Sequence, residues 1–191
     1  MLLDVRLFTA KEYHFMAEAG IFNPDERVEL LAGQIIKMAA KGTAHSAAVT
    51  RTENLLRNLL GDLVLIRLQD PVQLDDYSEP EPDIALVIPD QMYYEDHHPN
   101  PSEVYLIIEV SDTTLSRDLE FKAGIYARSG IADYWVLDVN NRQLHIFREP
   151  SQNGYQSELI LSDSGSVSPL AFPNVIITVG EMLRPLSSIS F

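Results

Sequence analysis

The chain has 191 residues, 46% apolar and 22% charged, with no cysteine and a formal net charge of −14. At that length one domain spanning residues 1–191 buries roughly 70% of its unfolded surface, and the composition excludes disordered, collagen-like and coiled-coil classes. Without cysteine, disulfides and zinc-thiolate sites are excluded and any metal must use carboxylate, His or backbone ligands; no apolar run nears the ~20 residues of a membrane span, so the expectation is a soluble cytoplasmic protein with no membrane partner.

In chain order, Thr9 and Glu12 have the spacing of a capping box at the head of TAKEYHFMAEAG, which predicts a short helix ending at Gly20. RVELLAGQIIKMA places two strand-like runs around Ala32-Gly33 and reads as a hairpin. From Thr43 to about Leu60, residues Ala47, Ala48, Leu55, Leu56, Leu59 and Leu60 recur at helical spacing, with Gly61-Asp62 as the stop. LVLIRL, PVQL, IALVI, VYLIIEV, DYWVLDV and QLHIF are strand-like, and RDLEFKAGIYARSG predicts a helix of about three turns. A strand, a helix and a strand with short connections suggest a crossover unit, whereas the hairpins suggest antiparallel edges. The predicted fold is therefore α/β, an α+β mixed sheet flanked by helices.

Charge is unevenly spread. Leu68 to Ser116 contains twelve acids and neither Lys nor Arg, supplying −12 of the −14. Most of these, among them Asp75, Asp76, Glu79, Glu81, Asp90, Glu95, Asp96 and Glu103, lie among Pro, Asn, Tyr and Ser and read as solvated loops. Three acids differ, because they sit on apolar strands. Alternation puts Glu109 on one face with Tyr105 and Ile107, Asp83 opens IALVI directly after Pro82, and Glu29 lies between Val28 and Leu30. Carboxylates in such places either have compensation, such as a divalent cation, or lie on exposed faces. On the helix after Glu109, Asp118, Lys122 and Tyr126 follow at intervals of four and share a face. Asp118 and Lys122 read either as a surface ion pair or as part of a site, and Lys122 is the one lysine of residues 42–191.

The series VELLAGQI, His45, EPDIALV, LIIEVSDTT, RDLEFKAGIYARSGIADYWVLD and SPLAFPNVIITVGEML resembles the Uma-type restriction endonucleases, a bacterial branch of the PD-(D/E)xK nuclease superfamily. The resemblance runs from about Thr9 to Leu183 and is most specific from Pro82 to Asp138. It implies a restriction-endonuclease-like core in which Asp83 matches the Asp of the Pro-Asp motif, Glu109 the acid of the (D/E)xK motif and Glu29 the upstream Glu. One departure stands out. Where the founding pattern has its lysine, two residues past Glu109, this chain has Ser111, and the branch places the lysine on the following helix, as Lys122.

The resemblance implies a metal-dependent DNA endonuclease. Asp83 and Glu109 are hard oxygen ligands that suit Mg²⁺ or Mn²⁺, Lys122 would orient a water or stabilise developing charge, and Glu29 would hold a second metal or a metal-bound water. His45 is read as a structural residue outside the set. The competing reading is a catalytically inactive binding or regulatory protein on the same fold. The charge of −14 opposes DNA binding, so a DNA path must use Lys37, Lys41, Arg51, Arg57, Arg117 and Arg128. A homodimer is expected because two strands favour two sites. His97-His98 beside Asp96 reads as an exposed turn.

Overall fold

The computed structural model describes residues 5–23 and 25–186. Helix α1, Ala10–Glu18, begins with the capping box foreseen from Thr9 and Glu12: each residue's side chain accepts from the other's backbone N–H. Strands β1, Val28–Leu31, and β2, Gln34–Lys37, pair as the expected hairpin. Its turn residues, Ala32 and Gly33, both have positive φ, the twist that a two-residue hairpin turn requires. Helix α2 runs Thr43–Leu60 and ends at Gly61, where φ is +52°.

The central sheet holds β3, Leu65–Arg67; β4, Ile84–Val87; β5, Val104–Ser111; β6, Asp133–Asp138; β7, Gln143–Ser151; and β8, Gly154–Ser162. They lie side by side in that order, antiparallel except for the parallel pair β5–β6. The crossover that makes β5 and β6 parallel is a π-helical turn, Arg117–Lys122, running into α3, Ala123–Arg128. Strands β9, Ser166–Val167, and β10, Ile177–Thr178, pair separately and lead into α4, Val179–Met182. The mixed sheet flanked by helices is thus the architecture observed.

Alternation along β5 separates two apolar layers. Leu106, Ile108 and Val110 pack with Leu56 of α2, Trp135 and Met182, while Ile107 packs with Leu31, Tyr126, Tyr134 and Val136 on the other side. Glu109 shares the second face, where the approach of α3 seals it from solvent.

Three local expectations need correction. PVQL is an extended leg without a strand partner, since Val72 bonds only to Pro80 O and Gln73 to Pro99 O, and the prolines at 71, 80 and 82 remove ladder donors. GYQSELILS, which is not among the expected strands, forms edge strand β8 with Leu159 and Ile160 half exposed. The RDLEFKAGIYARSG helix is regular only in α3. In its first part Ala123 N–H reaches back five residues to Asp118 O, a carbonyl that also accepts from Tyr134 Oη at 2.9 Å.

Ile108 is fully buried and pairs with Ile84 and Trp135 in the ladder. Ile108→Ala is expected to cost ~2–5 kcal/mol, read as a lowered urea midpoint at unchanged slope.

Candidate active site

Segments from β1, α2, the approach to β4, β5 and the crossover converge where β4 begins and β5 ends. Ile84 faces Ile108 across the antiparallel ladder, so one further step brings Asp83 alongside Glu109. Asp83 is held from three sides: Oδ2 accepts from Val110 N at 2.9 Å and lies 2.9 Å from His45 Nε2, and Oδ1 accepts from Gln69 Nε2 at 3.2 Å. Both bonds to Glu109 fall on one oxygen, Oε1, which accepts from Lys122 Nζ and Tyr126 Oη, each at 3.0 Å. Lys122 Nζ also lies 3.0 Å from Glu29 Oε2, so one ammonium joins two carboxylates from β1 and β5.

Lys122 is not part of a surface ion pair with Asp118. Asp118 and Lys122 are only 2% and 3% exposed, and the lysine's ion-pair partners are Glu109 and Glu29. Asp118 instead accepts from Ser111 Oγ and Thr114 Oγ1, both at 2.6 Å. Ser111, in the founding lysine's place, is therefore used to anchor the π-helical turn, and that turn supplies the lysine. Glu29 is fully buried and reaches the site through Lys122; its Oε1 is buried with no hydrogen-bond partner.

These groups edge a cleft of about 40 Å³, large enough for one or two waters or an ion. Asp83, Glu109, Asp112, Asp118 and Glu81 line it, against the three cations Lys41, Arg117 and Lys122, with His45 and Val110 completing the wall. Surplus carboxylate at such close quarters is the electrostatic setting of a cation site. Burial is the largest influence on Glu109 and, with Asp118, Asp83 and Glu29 nearby, pushes it up to about 8 against the pull of Lys122. Burial would depress Lys122, yet Glu109, Glu29 and Asp118 hold it above the ordinary lysine value. For Asp83 burial acts upward, but the contact with His45 and the Val110 N–H hold it below the ordinary aspartate value.

The donor set fits a hard divalent cation. Glu109 Oε2 has no hydrogen-bond partner among the described residues, and a cation there would offset the repulsion that burial imposes on the neighbouring acids.

Of the cationic residues named for a DNA path, Lys41 and Arg117 reach the cleft. Lys37 is paired with Glu26 and Arg57 with Glu53, while Arg51 lines a separate surface hollow near Arg184. Lys41 Nζ is buried without a partner, and burial together with Arg27 lowers its pKa. Two residues of the connection before and into α2 stand at the cleft. His45 stands against Asp83, and Lys41 faces the cleft; the signal available for both was their place in the connection KGTAHS, where β2 gives way to α2.

The architecture is a mixed six-stranded sheet flanked by helices, with a buried carboxylate–lysine cluster where β4 begins and β5 ends. In fold the chain is similar to the crystal structure of a putative nuclease belonging to DUF820 from Anabaena variabilis, with a TM-score of 0.66 at 15% identity over 92% of this chain and 97% of that one. No curated protein matches the sequence. Residues 10–180 match Uma2, "Putative restriction endonuclease", and the chain belongs to that family.

The elevated Glu109 carboxyl carries a stability consequence. Its folded pKa of about 8 exceeds the ordinary 4.5, so its contribution is complete below pH 4.5 and is lost as pH rises through 8. Metal-free protein should lose stability across that window by an amount on the order of a few kcal/mol, and Glu109→Gln should flatten the loss. Thermal melts of both proteins in chelator from pH 5 to 9 test this; parallel curves would contradict it.

Proposed function

We propose that this chain is a divalent-metal-dependent endonuclease that hydrolyses DNA phosphodiester bonds. The observation that carries the reading is Lys122 Nζ at 3.0 Å from Glu109 in a cleft shared with Asp83, acids and a lysine in the chemical order that family membership leads one to expect. Asp83 and Glu109 would hold Mg²⁺ or Mn²⁺, which when bound supplies an acidified water and offsets charge on the phosphoryl oxygens.

The chain's own residues divide the remaining work. Lys122 keeps a fixed positive charge beside Glu109, where it stabilises charge developing on the phosphate and orients the attacking water through a hydrogen bond. Tyr126 fixes the Glu109 carboxylate, and Glu29 acts as a positioning residue that holds Lys122. His45 and the Val110 N–H fix Asp83, which leaves its carboxylate ionised and correctly turned. Lys41 and Arg117 are the cationic groups available at the cleft for phosphate contact. The proposal includes a single domain over residues 1–191, a homodimer that offers one site to each DNA strand, and a cytoplasmic location; among the described residues no helix is long and apolar enough to cross a membrane.

Purified protein incubated with single- and double-stranded DNA should cleave with Mg²⁺ or Mn²⁺ and stop when the metal is chelated. Asp83→Ala and Glu109→Ala should abolish cleavage, and Lys122→Ala should lower the rate by ~10²–10³ with metal affinity little changed. Folded wild-type protein that cuts neither substrate with either metal would favour the non-catalytic reading. Cleavage unchanged in the Asp83 and Glu109 variants would remove those residues from the reaction.

A further inference from the structure

His14 of α1, Glu79 of the segment entering β4, and His98 of the loop before β5 come together away from the cleft-lining residues. One ligand atom from each lies within 4.8 Å of the other two. His14 Nε2 is 2.7 Å from Glu79 Oε1. Two further polar atoms here are buried with no partner, Glu79 Oε2 and His98 Nδ1, and the Glu79 side chain is only 2% exposed. A carboxylate that deeply buried, with one oxygen unsatisfied, costs free energy that a single half-exposed imidazole does not repay. His98 also departs from the sequence reading: His97 keeps the exposed turn with Asp96 and Glu103, whereas His98 turns inward, its ring 6.3 Å from that of His14.

We propose that His14, Glu79 and His98 form a second metal site, selective for a borderline transition ion of the Zn²⁺ class. Two imidazole nitrogens and one carboxylate are the donors such an ion takes in three-ligand tetrahedral sites, with a fourth position left to water, while Mg²⁺ prefers an all-oxygen shell. With Zn–N and Zn–O bonds of ~2.0–2.1 Å, tetrahedral ligand atoms lie about 3.4 Å apart, so the widest separation, up to 4.8 Å, would close by about 1.5 Å while the 2.7 Å His14–Glu79 contact opens, adjustments within the reach of rotation of the half-exposed His14 side chain. Binding would satisfy the second Glu79 oxygen and tie α1 to the two segments that lead into β4 and β5. The site is thus a clamp on the frame that carries Asp83 and Glu109, and it does not depend on the chain being a nuclease.

Untagged protein is dialysed against Zn²⁺ in the presence of excess Mg²⁺, and bound zinc is counted by atomic absorption, with Co²⁺ substitution read by its visible absorption. Wild type should retain one zinc that His14→Gln and His98→Gln bind at least ~100-fold more weakly, while the double variant Asp83→Asn/Glu109→Gln retains it. Co²⁺ should give the intense bands of a tetrahedral centre in wild type and lose them in either histidine variant. Thermal melts in chelator identify variants that are folded, and Glu79→Gln provides a third ligand change if a histidine variant is not. Zinc that is absent from wild type, or that is lost with Asp83 and Glu109 but kept without His14 and His98, would overturn the proposal.

Discussion

Lys122 is an ammonium enclosed in the protein, and the site depends on what surrounds it. Removing a charge of that size from water costs several kcal/mol even after relaxation, and it is tolerated only with close, well-directed partners. Glu109 and Glu29 are those partners, at 3.0 Å each. The contact joins the N-terminal hairpin, the centre of the main sheet and the crossover in one knot. It also works in the other direction, since Lys122 is the positive charge that pulls the buried Glu109 carboxyl back toward ionisation. The π-helical turn follows from the same requirement: a wider turn at Arg117–Lys122 lets Asp118 meet Ser111 while Lys122 reaches Glu109.

Acidity has a physical place in this arrangement. The segment from Leu68 to Ser116 holds twelve acids and no Lys or Arg; five of them, Asp70, Asp75, Asp76, Glu95 and Asp96, are exposed, Glu79 is buried against the expectation of a solvated loop, and Glu81, Asp83, Glu109 and Asp112 line the cleft. A polyanion approaching such a surface is repelled unless cations offset that charge. Lys41 and Arg117 bring positive charge to the same cleft. Burial and the neighbouring acids raise Glu109, a stability cost of gathering these carboxyl groups in one cleft.

Much of this was legible in the sequence, for reasons that differ by residue. Period-two alternation was enough to assign Glu109 to the face of Ile107, and Pro82 marked Asp83 as the start of a strand. Helical spacing placed Asp118, Lys122 and Tyr126 on one face, and the structure brings all three toward Glu109 or its neighbours. Burial was not legible, because a lysine between Phe121 and Ala123 looks the same whether the helix packs inward or outward. The partnership of His45 with Asp83 joins residues 38 apart, and the cluster of His14, Glu79 and His98 spans most of the N-terminal half; neither leaves a local spacing to read. PVQL and β8 failed for opposite reasons. The first has strand composition but lacks backbone donors, and the second has edge geometry but lacks an apolar pattern.

The account rests on Asp83 and Glu109 sharing one divalent ion beside Lys122. A crystal structure of the protein soaked in Mn²⁺, with the ion placed by its anomalous scattering, tests this most directly. The expected result is one strong peak within ~2.0–2.2 Å of a carboxylate oxygen from each of Asp83 and Glu109, with Lys122 Nζ still against Glu109. A peak elsewhere in the molecule with those carboxylates unligated, or a Lys122 side chain turned out to solvent, would contradict it.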